Sequence, residues 1–264
     1  MDAMSHYDEQ REQLNMQNNI KLMQGDCLER MKEIPSDSVD MVLTDPPYGT
    51  TACKWDSIIP LEPMWEQLKR IIKPNGAIVM TASQPFTTTL IASNMKMFRY
   101  CWVWDKVKST NFMSAKCMPL LKTEDICVFS HATANSMSRL KMEYNPQGIS
   151  NVSWDKVNGK NVGGKVAEAR GAKFKGSYKQ TTTGYPKNII EMANDINKLH
   201  PTQKPVALME YLMNTYTNEG ETVLDFTMGS GTTGVAAKNL NRAFIGIELD
   251  ETYFDIAKDR INNC

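Results

Sequence analysis

The sequence lacks the residue clusters on which several common chemistries depend. Its six cysteines include no Cys-x-x-Cys pair and no histidine-supported metal spacing, so no structural zinc site is expected. The three histidines stand in neither a Ser-His-Asp nor a His-Glu-x-x-His setting, which leaves hydrolase mechanisms without a catalytic constellation. No secretory or membrane-spanning segment is evident, and we expect a reduced cytoplasmic protein.

Net charge is absent as well, because 30 basic residues balance 30 acidic ones. The balance hides a strong asymmetry along the chain. Between His131 and Lys187, ten Lys or Arg residues stand against three acids, so the rest of the chain is net acidic by the same amount. Glycines interrupt this basic stretch and it has no regular apolar period, which predicts loops rather than core.

The most informative stretch that is present is TDPPYG at residues 44–49, which closes the apolar run 39–43. Its two prolines fix φ and remove two backbone donors, so the local carbonyls face outward beside one carboxylate, Asp45, and one ring, Tyr48. Such a turn can accept hydrogen bonds from the amino group of a flat base and stack on its ring. The same residues can also simply terminate a strand.

A second signal lies far downstream, at residues 222–237, and it reads as strand, glycine turn and helix. Gly229, Gly231 and Gly234 let the backbone turn tightly and approach a ligand, and the helix that follows offers unpaired N–H groups. The next strand, 242–247, leads into Glu248, from which a carboxylate can accept hydrogen bonds from ribose hydroxyls. This unit predicts a site for an adenosine-containing cofactor.

The identity of that cofactor depends on Asp225. Gly-x-Gly-x-x-Gly at residues 229–234 formally fits a dinucleotide fingerprint, but Asp225 at the strand tip would repel a pyrophosphate. The carboxylate suits the cationic ammonium and sulfonium side of S-adenosylmethionine. No Gly-Lys-Ser/Thr occurs, which excludes a P-loop.

Taken together, Asp45-Pro46-Pro47-Tyr48 and the DFTMGSG run at 225–231 resemble the exocyclic-amino DNA methyltransferases. The order of the two motifs, catalytic turn first, looks like the β class of that family. The resemblance covers most of the chain and implies methyl transfer from S-adenosylmethionine to N6 of adenine in double-stranded DNA after base flipping. Asp45, Pro46, Pro47 and Tyr48 are then the catalytic residues.

The resemblance also implies a set of cofactor contacts. Asp26 is similar to the upstream acidic strand end that contacts the cofactor adenine, and Lys204 lies in an HPTQKP segment whose polar groups surround the methionine part. Residues 102–106 and 124–129 resemble the strand pair that walls the target-base pocket. The predicted cofactor residues are Asp26, Lys204, Asp225, Phe226, Gly229, Ser230, Gly231, Thr232, Thr233 and Glu248.

The expected mechanism is a single direct displacement. Asp45 and the Pro46 carbonyl are the expected acceptors for the two amino hydrogens, which would redirect the nitrogen lone pair; whether Asp45 also removes a proton stays open. No Pro-Cys dipeptide occurs, which disfavours the covalent route of the base-carbon cytosine methyltransferases. Family members that act on cytosine N4 more often have Ser before the prolines, so Asp45 favours adenine while N4-cytosine remains the alternative.

The basic stretch is the predicted DNA-recognition region, because lysines and arginines neutralise phosphates. Its predicted DNA contacts are Lys156, Lys160, Lys165, Arg170, Lys173, Lys175 and Lys179. The resemblance further suggests a homodimer and a restriction endonuclease partner. RNA or protein amide methylation, and a catalytically idle DNA-binding module that retains the fold, are the remaining alternatives.

Strands that alternate with helical stretches predict an α/β fold with a doubly wound, mostly parallel sheet. This would be a Rossmann-like, S-adenosylmethionine-dependent methyltransferase with permuted motif order and an inserted DNA-recognition region. The predicted division is a polar N-terminal segment at 1–19, a catalytic half at 20–130, the basic insertion at 131–190 and a cofactor-binding half at 191–264. Both motifs then fall at the carboxyl ends of strands, where open α/β sheets bind their ligands.

Overall fold

Eight strands form the central sheet of the protein, which we describe from a computed structural model for residues 19–50, 56–135, 137–157, 177–195 and 203–264. The strands of the chain are β1 Ile20–Gln24, β2 Val39–Thr44, β3 Ile72–Ala82, β4 Phe98–Thr110, β5 Leu121–Phe129, β6 Ser150–Val157, β7 Ser177–Thr183, β8 Ile189–Glu191, β9 Thr222–Asp225 and β10 Ala243–Glu248. The sheet order is β1-β10-β9-β2-β3-β5-β4-β8, and every neighbouring pair is parallel except the two that include β5. The prediction of a mostly parallel sheet is confirmed.

Helices cover both faces of this sheet. They are α1 Cys27–Arg30, α2 Leu61–Ile71, α3 Phe86–Ser93, α4 Val206–Tyr216, α5 Thr232–Asn239 and α6 Glu251–Asn262, with single 3-10 turns at Met31–Glu33 and Phe112–Ser114. On α2 the buried residues are Met64, Trp65, Leu68 and Ile71, the spacing of a helix that packs one stripe on a core. None of the helices described combines the length and apolar character needed to cross a membrane.

Two hydrophobic cores lie on opposite faces of the sheet. Alternate residues of β2 divide between them: Met41 and Leu43 join the core under α4 and α5, whereas Val42 between them joins the core under α2 and α3. This alternation follows from the period of two along a strand. A sheet with helices on both faces is the doubly wound arrangement that the sequence predicts.

The largest boundary difference concerns β3. The sequence predicts that residues 73–76 end a helix before a short strand at 77–80, but the strand begins at Ile72. Val39 pairs with Ile72 and Met41 with Ala77, so the Lys-Pro-Asn-Gly segment is an irregularity within the strand rather than a turn before it. A side chain at Gly76 would lie 2.6 Å from the Asp40 carbonyl oxygen, which explains the glycine in this irregularity.

A second compact unit comprises Pro146–Lys187, and the first comprises the remaining described residues. In the second unit, β6 and β7 form an antiparallel pair that runs from Ser150 opposite Thr183 to Val157 opposite Ser177. The prediction of loops throughout the basic stretch is therefore wrong for these two strands.

The site is positioned by strand direction. The carboxyl ends of β1, β10, β9, β2 and β3 meet at one edge of the sheet, and β4 runs in the same direction. Because β5 runs the opposite way, its amino-terminal half reaches this same edge. Residues distant in sequence thereby converge there.

Candidate active site

Asp45 immediately follows β2 at this edge, and both of its carboxylate oxygens have partners. Oδ1 accepts hydrogen bonds from the Tyr48 hydroxyl at 2.6 Å and from the Thr81 hydroxyl. Oδ2 accepts from Lys204 Nζ at 2.7 Å. These contacts join the turn after β2, the end of β3 and the segment before α4 around one carboxylate.

Lys204 belongs to a buried row of alternating charges. Its Nζ also lies 3.3 Å from Glu124 Oε2, and Glu124 Oε1 accepts from Lys106 Nζ at 3.0 Å. The Lys204 side chain is only 7% exposed. Burial alone would lower the pKa of Lys204, but the Asp45 and Glu124 carboxylates outweigh burial and raise it, so the ammonium stays protonated.

The sequence predicts that Lys204 lies near the methionine part of the cofactor. In the structure its ammonium contacts the carboxylate of Asp45, the predicted catalytic residue. Glu124 and Lys106 lie in the two stretches predicted to wall the base pocket, but the sequence did not single them out. Glu124 reaches the site because β5 is antiparallel, which no spacing in the sequence reveals.

Tyr48 is half-buried and packs on Phe86, with ring centroids 5.4 Å apart and ring planes at 23°. Lys204 Nζ lies 5.7 Å from the centroid of the Tyr48 ring. Burial and then the Asp45 carboxylate raise the pKa of the Tyr48 phenol well above its usual value, so it remains a neutral donor to Asp45. The Tyr48 hydroxyl therefore orients Asp45, a role that the sequence analysis did not assign to it.

The turn that carries Asp45 and Tyr48 is held by Asp56. Pro46 and Pro47 have no N–H, and the N–H groups of the next three residues all donate to the Asp56 carboxylate: Tyr48 and Gly49 to Oδ1 at 2.8 Å each, and Thr50 to Oδ2 at 2.9 Å. Asp56 is buried. The sequence analysis missed Asp56, although Asp commonly accepts backbone N–H groups at turns.

Hydroxyl groups connect the catalytic turn to the cofactor loop. The Thr44 hydroxyl donates to Asp225 Oδ1 at 2.7 Å. The Thr227 hydroxyl lies 2.6 Å from the Thr44 hydroxyl and 3.2 Å from the Asp45 carbonyl oxygen, and its one hydrogen can be donated to either. The two predicted motifs, 180 residues apart in sequence, therefore share a hydrogen-bond network, as expected for motifs at the carboxyl ends of adjacent strands.

Asp225, the last residue of β9, is a buried carboxylate without an ion-pair partner among the described residues. Burial raises its pKa from 3.8 to about 6, although hydrogen bonds from Thr233, Thr44 and the Thr227 N–H lower it in part. A buried, poorly compensated anion attracts a cationic ligand. This fits the cationic end of S-adenosylmethionine.

The glycine turn after β9 approaches Glu248, the last residue of β10. Glu248 Oε2 accepts from the Gly229 N–H at 2.8 Å and Oε1 from the Asp250 N–H at 2.9 Å. Burial raises the pKa of Glu248. Gly229 has a φ of 51°, and a Cβ there would meet nothing within 4 Å, so open space adjoins this backbone. The Glu248 carboxylate, as an acceptor for ribose hydroxyls, and the open space fit an adenosine group.

Asp26 follows β1 at the same sheet edge. Its Oδ1 caps α1 by accepting from the N–H groups of Leu28 at 2.8 Å and Glu29 at 3.4 Å. The side chain is exposed, so it keeps acceptor capacity at the edge where the predicted adenine contact requires it.

Other predicted cofactor residues have structural partners within the protein. The Phe226 side chain is buried in the core under α2 and α3. Arg260 donates to the Ser230 carbonyl oxygen at 3.1 Å and to the Thr232 hydroxyl at 3.0 Å, and the Ser230 hydroxyl bonds Gln203 Oε1 at 3.2 Å. Gly231 adopts φ 78° at the start of α5, and Thr233 hydrogen-bonds Asp225. Arg260, which fixes this loop from α6, was not predicted.

The predicted DNA contacts are only partly visible. Lys156 lies on β6 opposite Tyr178, and Lys179 is exposed on β7 opposite Asp155. The other five lie outside the described residues: Lys160, Lys165, Arg170, Lys173 and Lys175.

Known proteins similar to this chain include type II methyltransferases. Type II methyltransferase M.HpaI of Haemophilus parainfluenzae is 26% identical over 92% of this chain and 74% of its own length. Type II methyltransferase M2.DpnII of Streptococcus pneumoniae is also 26% identical, over 92% of this chain and 90% of its own length.

Solved structures give the same picture. The complex of M1.HpyAVI with SAM aligns with a TM-score of 0.60 and 26% identity over 91% of this chain and 99% of that chain. The cytosine-N4-specific PvuII DNA methyltransferase aligns with a TM-score of 0.64 over 91% of this chain and 86% of that chain, but at 16% identity it shows the fold alone. The N6/N4 family model described as DNA methylase matches residues 39–259. The chain therefore belongs to the N6/N4 DNA methylase family.

Proposed function

We propose that this protein transfers a methyl group from S-adenosylmethionine to the N6 amino group of adenine in double-stranded DNA. The observation that carries the proposal is the position of Asp45: its carboxylate directly follows β2, and its backbone carbonyl is linked through Thr227 and Thr44 to the buried anion Asp225. An acceptor for an amino group and an anion for a cationic cofactor thus lie in one hydrogen-bond network. Asp rather than Ser before the prolines favours adenine, in line with the family resemblance.

Asp45 acts on the amino nitrogen, whose lone pair is delocalised into the base. Acceptance of one amino hydrogen by Asp45 Oδ2, and of the other by the Pro46 carbonyl, draws the nitrogen toward tetrahedral geometry and frees its lone pair. As the nitrogen gains positive charge, the carboxylate stabilises the transition state more than the ground state. Tyr48 and Thr81 hold Oδ1, so the carboxylate keeps one orientation throughout.

The residues that would hold S-adenosylmethionine are Asp26, Asp225, Glu248 and the glycine turn at Gly229. The cofactor supplies an electrophilic methyl group when it is bound. Asp225 would provide a negative charge for its cationic end, and Glu248, which fixes the turn, would also accept hydrogen bonds from ribose hydroxyls.

The test is incubation of the protein and S-adenosylmethionine with unmethylated duplex DNA of mixed sequence, followed by digestion and mass spectrometry of the nucleosides. The expected product is N6-methyladenine. Asp45→Ala should abolish it while cofactor binding persists, because Asp45 would accept from the amino group and the residues that would hold the cofactor are unchanged. The matched control is Asp255→Ala, which removes an exposed carboxylate from α6 and should leave the rate unchanged.

Each other outcome changes the assignment in a defined way. N4-methylcytosine would keep the mechanism and change the base. Cofactor binding without DNA methylation would favour another acceptor or an idle DNA-binding module. Full turnover by Asp45→Ala would refute the role of Asp45.

The relatives named as type II methyltransferases suggest a place for this activity, and we propose that the protein acts as the modification enzyme of a restriction pair. The methylated site should then resist a partner endonuclease that cleaves unmethylated DNA. We also propose a homodimer, which sedimentation equilibrium would report as twice the mass of one chain.

A further inference from the structure

The β4–β5 hairpin extends beyond the sheet. Pairing of β5 with β3 ends at Asp125 opposite Ala82, and pairing of β4 with β8 ends at Asp105 opposite Glu191. Past these points the described chain continues on each strand to the Thr110–Leu121 pair. β4 continues for five residues from Asp105 to Thr110. At a rise of roughly 3.3 Å per residue, the hairpin projects at most about 16 Å beyond the end of the β4–β8 pairing. We call residues 107–122 the hairpin tip.

The surface of the hairpin tip is unusually apolar. Met113 is 99% exposed and Phe112 is 69% exposed, both on the 3-10 turn at its end. Four further exposed apolar side chains accompany them: Val107, Met118, Leu120 and Leu121. Exposed apolar groups this concentrated usually mark an interaction site in a monomeric protein.

The charge of the hairpin tip has one sign. It contains Lys108, Lys116 and Lys122 and no acidic residue. Lys122 pairs with Asp105 at 2.8 Å, whereas Lys108 and Lys116 are exposed with no ion-pair partner among the described residues. Apolar side chains flanked by lysines match a duplex, whose stacked bases are apolar and whose backbone is anionic.

The hairpin tip rises from the catalytic edge. Lys106 immediately precedes it, Glu124 closely follows it, and the two are joined by an ion pair that continues through Lys204 to Asp45. A base that reaches Asp45 must leave its duplex at this edge of the sheet. The hairpin tip is therefore placed to contact the strands around the extruded base.

The backbone at the start of the tip is strained. Val107 has a φ of 66°, a left-handed conformation that β-branched residues rarely adopt, and its N–H donates to Asp105 Oδ1 at 2.8 Å. Strain of this kind is kept where the surrounding structure enforces it and clusters at functional sites. Val107 begins the hairpin tip directly after Lys106, which is linked to Asp45 through Glu124 and Lys204.

We propose that the hairpin tip is a DNA-contacting wedge, in which Phe112 and Met113 enter the base stack at the extruded base and Lys108 and Lys116 contact phosphates. The proposal rests on the proposed DNA methylation. Apolar wedges stabilise unstacked base steps, and extrusion of a base costs a few kcal/mol that such contacts offset. A second copy of this chain is a poorer occupant, because an isologous contact would bring the same lysines together.

The first test compares two duplexes that contain the methylated site, as found by sequencing DNA modified by the wild-type protein. One is fully paired and the other carries a mismatch at the target base, which lowers the cost of extrusion. The double variant Phe112→Ala with Met113→Ala should lose about tenfold or more in kcat/KM on the paired duplex and about threefold or less on the mismatched one. Met95→Ala, an exposed methionine just before β4 at the opposite sheet edge, is the control and should change neither.

The second test does not require methylation, so it distinguishes failure of the wedge from failure of the proposed function. Lys108→Ala with Lys116→Ala should reduce the slope of log affinity against log salt by about 2 for a labelled duplex of mixed sequence. An unchanged slope, or equal loss on paired and mismatched duplexes in the first test, would overturn the proposal. Loss of activity together with dissociation of a dimer into monomers would assign the hairpin tip to a second copy instead.

Discussion

Asp45 offers four lone pairs on two oxygens, and three of them already have partners. Tyr48 and Thr81 use both positions on Oδ1, and Lys204 uses one on Oδ2. The amino group of a target base must therefore share Oδ2 with an ammonium. The fourth lone pair, on Oδ2, is left for that amino group, and Glu124 Oε2, 3.3 Å from Nζ, also holds the ammonium.

Asp225 shows how a single residue can favour function over stability. Its pKa rises from 3.8 to about 6 on folding, so the folded state holds a proton that the unfolded state has released. The folded state therefore loses stability as the pH rises through the window between about 4 and 6, and at neutral pH the buried anion destabilises the fold. A bound cation offsets this effect, which couples cofactor affinity to the same ionisation.

We accordingly expect Asp225→Asn to raise the free energy of unfolding without cofactor by up to roughly 3 kcal/mol near neutral pH, because the amide oxygen can still accept from the Thr44 hydroxyl and the Thr227 N–H. The gain should be smaller at about pH 5, and cofactor affinity should fall. Urea unfolding at both pH values measures the first effect and calorimetric titration measures the second. A gain that is independent of pH, or one that also appears in the exposed control Asp255→Asn, would contradict this assignment of the charge.

At the scale of elements, the turn after β2 depends on a residue that the motif does not contain. The prolines orient carbonyls outward, as the sequence predicts, but the three N–H groups that follow need an acceptor, and Asp56 supplies it. Because Asp56 is buried, loss of its carboxylate would leave three donors without their acceptor.

Asp56→Ala should lower kcat/KM by about tenfold to a hundredfold, because Asp45 and Tyr48 would lose their fixed geometry. Asp56→Asn should lie between this variant and the wild type, since its single carbonyl oxygen can still accept from Tyr48 and Gly49 but not from all three donors. Steady-state kinetics with S-adenosylmethionine and duplex DNA measures both. Equal activity of Asp56→Ala and the wild type would show that the prolines alone hold the turn.

The position of a residue relative to the parallel strands decides whether the sequence could predict its place in the site. Asp45, Asp225 and the glycine turn follow parallel strands, so their place at one sheet edge follows from alternation of strands and helices. Glu124 reaches the site on the antiparallel β5, and strand direction leaves no trace in the apolar pattern. Lys204 could be placed near the site only through the family resemblance, and its contact with Asp45 depends on side-chain packing that spacing does not encode.

At the scale of the whole molecule, charge is divided along the chain. The stretch 131–187 carries a formal charge of about +7 by the ten bases and three acids counted above, and the remainder carries the opposite charge. Strands β6 and β7 of this stretch belong to the second compact unit, Pro146–Lys187. The predicted site residues Asp45, Asp225 and Glu248 all belong to the first unit. DNA affinity and cofactor affinity should therefore respond to different substitutions.

The predicted DNA contacts provide that test in the full-length chain. One variant replaces all seven predicted contacts by Ala: Lys156, Lys160, Lys165, Arg170, Lys173, Lys175 and Lys179. We expect it to reduce the slope of log DNA affinity against log salt by up to about 6, since each phosphate contact contributes roughly 0.9. The rise in melting temperature with saturating S-adenosylmethionine should persist, because the residues that would bind it are unchanged. Replacement of the exposed Lys32, Lys96 and Lys258 by Ala is the control and should alter the slope by less than about 1. An unchanged slope in the variant with seven substitutions would show that the main DNA contacts lie outside the basic insertion. Loss of the cofactor-dependent rise in melting temperature would show that the substitutions had disturbed the first unit.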